Sequence, residues 1–286
     1  MIQYSDFTAS DRLVLIAGTC VIESEEHVNR MADAISAMAA EAGFTYVFKA
    51  AFDKANRTSV KGYRGPGLIE GLAILGRLRA RGFSVLTDVH ETAQVAPVAE
   101  VADIIQIPAF LCRQTDLLLE AGRTRKIVNV KKGQFVAPHD IHHAAEKIAS
   151  TGNPQVVLTE RGSSFGYNNL VVDMRGLKIM ADAGWPVIFD ATHSVQLPGG
   201  SGSASGGQPQ FIAPLASAAV AVGVAGIFVE VHDEPEKALS DGPNALRLDL
   251  LPGLLKRLRL IDEARRTADG LASANSLSTP HPPRTS

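Results

Sequence analysis

Cysteine is scarce in this 286-residue chain, occurring only as Cys20 and Cys112. Two thiols cannot build a disulfide framework, so a reducing compartment is the expected setting. Long hydrophobic runs are missing as well. No apolar stretch reaches the roughly 18 residues of a membrane span, and the N-terminus lacks the basic-then-apolar layout of a leader. Neither sign of charge is in excess: 28 Lys and Arg against 30 Asp and Glu leave a net charge of −2. That argues against a general nucleic-acid or membrane-surface binder. No Gly-x-Gly-x-x-Gly opens the first helix, which speaks against a dinucleotide-binding fold. A soluble, cytoplasmic protein with small-molecule partners is the expectation.

What is present is a repeated alternation. Hydrophobic residues make up 45% of the chain and charged ones 20%, ordinary for a globular protein. Apolar runs rich in branched residues fall near 13–19, 45–51, 84–89, 104–109, 126–132, 155–160, 186–191 and 226–231. Helical patterns fall between and after them, near 24–42, 67–81, 92–101, 115–122, 139–150, 171–183, 211–222 and 249–268. Continuous apolar strands alternating with amphipathic helices predict a parallel sheet covered by helices. About eight such units in this length predict a single-domain α/β fold, a (β/α)8 TIM barrel over residues 1–270. The Gly- and Ser-rich stretch Leu197 to Gln210 reads as a mobile lid after the seventh strand. Residues 271–286, rich in Ser, Pro and Thr, read as a disordered tail.

In such a barrel the C-terminal strand ends meet on one face. Cys20, His193 and Glu230 each end an apolar run, and Asp241 lies in the loop beyond Glu230. A thiolate, an imidazole and two carboxylates suit a borderline divalent ion better than magnesium or calcium. Alone, each has a plainer reading: a buried thiol, a rim histidine, a carboxylate paired with lysine, an Asp-Gly turn. Their shared face favours a metal site. His232 is a weaker substitute ligand, while His90, His139, His142 and His143 read as surface and Cys112 as structural.

Cations cluster on the same face. Lys49 and Lys54, then Asn56, Arg57, Thr58 and Ser59, follow the second strand and offer charge, amide and hydroxyls to a sugar phosphate. Arg113 lies in the loop after the fourth strand. Lys131, Lys132 and Gln134 end the fifth, and Arg161 ends the sixth. Buried unpaired charge is costly, so these cations either pair with Glu160, Asp88 or Asp190, or bind anionic substrates.

Longer stretches carry a resemblance. Lys-Ala-Asn-Arg-Thr-Ser, Tyr-Arg-Gly-Pro-Gly-Leu, Thr-Asp-Val-His-Glu and Gln-Ile-Pro-Ala-Phe-Leu-Cys-Arg-Gln-Thr-Asp come first. Asn-Val-Lys-Lys-Gly-Gln-Phe, Arg-Gly-Ser-Ser-Phe-Gly-Tyr-Asn-Asn-Leu-Val-Val-Asp-Met and Phe-Asp-Ala-Thr-His-Ser-Val-Gln follow. From Leu13 to Ile261 the chain resembles the 3-deoxy-D-manno-octulosonate 8-phosphate synthases, with Thr58 where serine is more usual. The resemblance implies condensation of phosphoenolpyruvate with arabinose 5-phosphate and water, for lipopolysaccharide synthesis in Gram-negative bacteria. It also implies a homotetramer in which Arg113 reaches a neighbouring subunit's sugar phosphate. Lys54, Lys131 and Arg161 would hold phosphoenolpyruvate, with Gln106 and Gln134 as weaker contacts and Asp88 ordering the lysines. Cys20 is similar to the family's metal-dependent class, whose metal-free counterpart has asparagine there. That makes Mn, Fe, Zn or Co the implied cofactor.

Two other readings stay open. One is the related synthase that uses erythrose 4-phosphate. The Ala-Asn insertion before Arg57 speaks against it, because those enzymes resemble Lys-Pro-Arg-Thr there. The other is a non-catalytic sugar-phosphate-binding barrel, which has no need of Lys131, Arg161 and four metal ligands.

Overall fold

A computed structural model describes residues 1–9, 11–57, 59–199 and 206–277, with side chains described through 271. Eight parallel strands run β1 Val14–Gly18, β2 Thr45–Lys49, β3 Val85–Asp88, β4 Ile104–Ile107, β5 Ile127–Lys131, β6 Val156–Glu160, β7 Val187–Asp190 and β8 Gly226–His232. Each pairs with the next, and β8 returns to β1 with Gly226 beside Val14 and Glu230 beside Gly18. The barrel is closed, as the alternation predicts. Closure leaves none of these eight strands as a free sheet edge.

The helices that follow the eight strands are α1 Glu25–Ala42, α2 Leu68–Ala80, α3 Thr92–Val101, α4 Thr115–Arg123, α5 His142–Ala149, α6 Met174–Asp182, α7 Ile212–Val222 and α8 Leu251–Leu277. Helix α1 shows why they form. The Ser24 side chain accepts from the His27 amide, Glu25 and Glu26 occupy the first turn, and Gly43 ends the helix at φ 75°. Val28, Met31, Ala32, Ile35 and Ala39 recur at helical spacing and are buried against the strands. Each fully buried aliphatic side chain of this kind contributes about 1.5–3 kcal/mol of transfer free energy. No described helix is long and apolar enough to cross a membrane.

A second apolar cluster fills the barrel's lower interior. Ile2 and Phe7 pack there with Ile16, Ile104, Val157 and Phe228. The Ile2 amide donates to Ser84 Oγ at 2.8 Å, and the Tyr4 hydroxyl donates to the Val156 carbonyl at 3.1 Å. Periodicity gave no sign of this plug.

The small extra elements sit around the upper rim. Ser163–Ser164 pairs with Leu170–Val171, and Gln196–Leu197 pairs with Gly206–Gly207. Residues 200–205 of the expected lid, like Thr58, lie outside the described residues. Leu246–Arg247 adds in parallel to the end of β8, returning the chain after a 13-residue excursion from 233 to 245 that carries Asp241. Helix α8 continues to Leu277, past the expected boundary at 270, and 278–286 lie outside the described residues.

Candidate active site

The mouth of the barrel opens into a cavity of about 470 Å³, which Lys49, Lys54, Arg57, Lys131, Arg161, His193, Glu230 and Asp241 help line. The size is that of a small-molecule site. At its base the chains approach closely: a Cβ on Gly18 would lie 2.1 Å from the Lys49 carbonyl oxygen. Only glycine fits where β1 and β2 meet beneath Cys20.

Cys20 Sγ lies 3.2 Å from Asp241 Oδ2 and 3.1 Å from Ser240 Oγ. Ligand atoms of Cys20, Glu230 and Asp241 all fall within 4.8 Å of one another. His193 Nε2 joins them from β7, 3.7 Å from Glu230 Oε1 and 4.0 Å from Asp241 Oδ2. Asp241 itself adopts φ 52°, a left-handed conformation that aspartate tolerates better than most residues.

His193 is oriented from behind. Asp190 accepts from the Thr192 and His193 amides, which fixes its carboxylate at the end of β7. Its Oδ2 lies 2.7 Å from His193 Nδ1. A carboxylate accepts, so the proton sits on Nδ1 and the Nε2 lone pair is free on the cavity side. His232, by contrast, accepts the Glu234 amide on Nδ1 at 2.9 Å and presents Nε2 to Glu23 at 3.3 Å. It does not reach the Cys20 cluster.

Cys20, Glu230 and Asp241 lie close enough to share one divalent cation, and His193, outside that tightest group, stands 3.7 and 4.0 Å from two of them. Bonds of about 2.0–2.3 Å place neighbouring ligand atoms roughly 3.5 Å apart, close to the separations found here. Glu230 Oε2 is buried with no hydrogen-bond partner, while Oε1 takes the Lys49 ammonium at 2.6 Å. Burial, then the charges of Asp241 and Glu230, push the Cys20 thiol well above its ordinary value. A cation there would relieve the crowding of negative charge that opposes the thiolate.

The lysines are held by acids, in two ways. Lys131 Nζ lies 2.5 Å from Asp190 Oδ2 and 3.6 Å from the centroid of the Phe228 ring. Burial lowers its pKa, against the opposing charge of Asp190. Burial would also lower Lys54, but acidic groups around it, Cys20 and Asp88 foremost, hold it well above its usual value. Lys132 points to the opposite face, as alternation along a strand requires. Its Nζ is buried 3.5 Å from Glu160 Oε1 and bonds Ser163 Oγ at 3.1 Å. The paired reading holds for Lys132, and Glu160 in turn accepts the Gly162 amide beside Arg161.

Asp88 ends a polar ladder across four strands. Thr159 donates to Asn129 at 2.6 Å, Asn129 to Gln106 at 2.8 Å, and Gln106 to Asp88 Oδ1. Asp88 Oδ2 is left facing Lys54 Nζ at 3.7 Å. Burial alone would raise Asp88, but Lys54 and Lys49 outweigh it and bring its pKa from 3.8 to about 2. Burial alone would raise Glu230 as well, but the Lys49 charge foremost brings it below the carboxylate range.

Arg161, Gln134, His90 and Glu230 on the cavity wall each keep one buried polar atom without a partner among the described residues. Arg161 is 4% exposed, and its Nη2 donates to Gln196 at 2.9 Å. Its Nη1 is buried with no partner, as is Gln134 Oε1. Arg57 reaches Ser240 Oγ at 2.8 Å, and Asn56 also lines the cavity. Ser59 turns its hydroxyl to the Lys61 amide instead. Arg113 lines two smaller surface pockets rather than the cavity.

One expectation is corrected. His90 is not a surface residue: it lines the cavity, and its Nδ1 is buried and unpartnered. Burial lowers its pKa, so the imidazole is neutral at pH 7. His90 lies just past the end of β3, and that position was the available signal, since the segments following barrel strands build the active face.

A closed parallel barrel with acid-held lysines, a partly unpaired arginine and a thiol-imidazole-carboxylate cluster at its strand ends is the arrangement of a barrel enzyme whose cavity suits an anionic ligand. The chain belongs to the DAHP synthetase I family, which it matches over residues 7–265. Curated relatives include proteins from Geobacter sulfurreducens and Citrifermentans bemidjiense, each 59% identical over 251 residues, 87% of this chain and 92% of theirs. One from Syntrophotalea carbinolica is 58% identical over 257 residues, 90% of this chain and 93% of that protein. All three are named 2-dehydro-3-deoxyphosphooctonate aldolase.

Proposed function

We propose that this chain condenses phosphoenolpyruvate with D-arabinose 5-phosphate and water, forming 3-deoxy-D-manno-octulosonate 8-phosphate and inorganic phosphate. The names of its relatives at 56–59% identity support that reading. The observation that carries it in the structure is the unpaired Arg161 Nη1 on a wall shared with Lys131 and Lys54. A fully buried guanidinium proton without an acceptor is costly unless a ligand supplies one.

The chemistry divides among the wall groups. The enol carbon of phosphoenolpyruvate bonds to the sugar aldehyde carbon, leaving the aldehyde oxygen as an alkoxide that takes up the proton released when water adds. Water then adds to the cationic carbon left behind, and phosphate leaves from the tetrahedral intermediate with the bridging oxygen. Lys54, Lys131 and Arg161 hold the phosphate and carboxylate, with Gln106 and Gln134 as further contacts, because both groups shift charge along this path. Neutral His90, beside ionised Asp88, is placed to take the proton of the attacking water. Asn56, Arg57, Thr58 and Ser59 hold the sugar, with Arg57 on its phosphate, and Lys49 keeps Glu230 ionised.

Cys20, His193, Glu230 and Asp241 would hold a divalent ion of the Mn, Fe, Zn or Co kind, which when bound supplies Lewis acidity and a fixed point for the aldehyde oxygen or water. A homotetramer in the cytoplasm, with Arg113 completing the neighbour's sugar-phosphate site, accords with Arg113 lying outside its own chain's cavity. The test is phosphate release from phosphoenolpyruvate with each aldose phosphate in turn. Arabinose 5-phosphate should react far faster than erythrose 4-phosphate. Equal or reversed preference sinks the assignment, and no release with any sugar favours a binding barrel.

A further inference from the structure

Ser240 has no part in the roles assigned above, yet its hydroxyl stands between the two halves of the site. Its Oγ is 2.8 Å from Arg57 Nη1 and 3.1 Å from Cys20 Sγ. Ser240 is 3% exposed, so water does not compete freely for these bonds. We propose that Ser240 is a positioning residue that donates its hydroxyl proton to the Cys20 thiolate and so tunes the metal affinity of the cluster.

Proton inventory sets the direction. A guanidinium has donors and no acceptor, so the serine oxygen must accept from Arg57. Serine has one O–H, and with Arg57 on a lone pair that proton is left for the sulfur. While Cys20 carries its own proton, the thiol donates to Ser240 or to Asp241 Oδ2. Once the thiol proton is lost to metal binding, sulfur becomes an acceptor, and the hydroxyl rotates to it without leaving Arg57. A donor to a coordinated sulfur stabilises the thiolate and withdraws charge from it.

The backbone holds Ser240 in place for this. Glu23 Oε1 accepts the amide of the preceding residue, Leu239, at 2.9 Å, and His232 Nε2 faces the same oxygen at 3.3 Å. His232 is itself fixed by the Glu234 amide on Nδ1. On the other side, the Asn244 and Ala245 amides both donate to the Asp241 carbonyl. The turn carrying Ser240 and Asp241 is therefore pinned at both ends. Because Arg57 is the proposed sugar-phosphate ligand, Ser240 also joins the sugar subsite to the metal cluster.

The proposal rests on Cys20 being a metal ligand, and the experiment separates the two. Cobalt(II) is titrated into metal-free wild type, Ser240→Ala and Ser240→Thr, reading the dissociation constant and the sulfur-to-cobalt charge-transfer band. Ser240→Ala should weaken cobalt about tenfold and move the band to longer wavelength, since sulfur without its donor gives up charge more easily. Ser240→Thr keeps the hydroxyl and should restore both. Ser240→Gly removes the same hydroxyl and serves if the alanine variant does not fold. An unmoved band with affinity within twofold of wild type overturns the role of Ser240. Wild type that binds cobalt with no charge-transfer band instead removes Cys20 from the ligand set, and the Ser240 role with it.

Discussion

Replacing Arg161 by methionine sets function against stability at one position. The side chain is 4% exposed, makes one hydrogen bond to Gln196, and leaves Nη1 unpaired. Burial lowers its pKa despite the opposing charges of Asp190, Asp241, Glu160 and Glu230, so the guanidinium is held at a net electrostatic cost. Effective desolvation of a buried ion costs several kcal/mol, and apolar replacements are often neutral or stabilising by about 1–4 kcal/mol. Methionine matches much of the stem, so the substrate-free variant should be as stable as wild type or up to about 2 kcal/mol more stable. For a chain of this size that corresponds to a rise of up to roughly 3 °C in Tm. Loss of a donor aimed at shifting phosphate charge should lower kcat/KM on the order of a thousandfold, about 4 kcal/mol. Calorimetry and phosphate-release kinetics on one preparation read both. A variant that loses several degrees of Tm while keeping its activity would show Arg161 to be a structural residue and refute the reasoning.

Other outcomes follow from neighbouring groups. Asp88 sits at about pH 2 against an ordinary 3.8, so it contributes stability above pH 4 that is lost as pH falls through about 2. Asp88→Asn should lower stability at pH 7 by roughly 2 kcal/mol and flatten the acid limb between pH 4 and 2, as urea melts at several pH values would show; an unchanged limb removes Asp88 from the linkage. Arg57→Ala should raise KM for arabinose 5-phosphate at least tenfold with a smaller change in KM for phosphoenolpyruvate, and an unchanged sugar KM ends its proposed role. His90→Ala should lower kcat more than either KM, and full turnover in a folded variant would remove His90 from the proton-transfer role.

The barrel was legible because its signal is redundant. Eight buried strands read as unbroken apolar runs, and helices such as α1 and α4 kept one apolar stripe each. Observed boundaries fall within about three residues of those expected for every strand, and for every helix except the long C-terminal extension of α8. The two-residue strands at the rim carry too few residues to show any period. The Ile2 and Phe7 plug comes from a segment without pattern. Placement at the barrel mouth was legible where residue type is distinctive, as in Cys20, His193, Glu230 and Lys131. It was not legible in Asn129, Thr159 and Ser240, which are common residues whose meaning lies in a partner dozens to hundreds of positions away. Lys132 shows the same limit, since only its face on the strand distinguishes it from Lys131.

The strand-end cluster is the account's central claim, and exhaustive chelation tests it most directly. Phosphate release from phosphoenolpyruvate and arabinose 5-phosphate is measured on wild type and Cys20→Asn, before chelation, after it, and after divalent add-back. Wild type should fall to background and recover with a divalent ion, while Cys20→Asn, which imitates the metal-free class, should keep some chelator-resistant activity. Full wild-type activity in protein shown to be metal-free would contradict the account and leave Cys20 a buried thiol at the end of a strand.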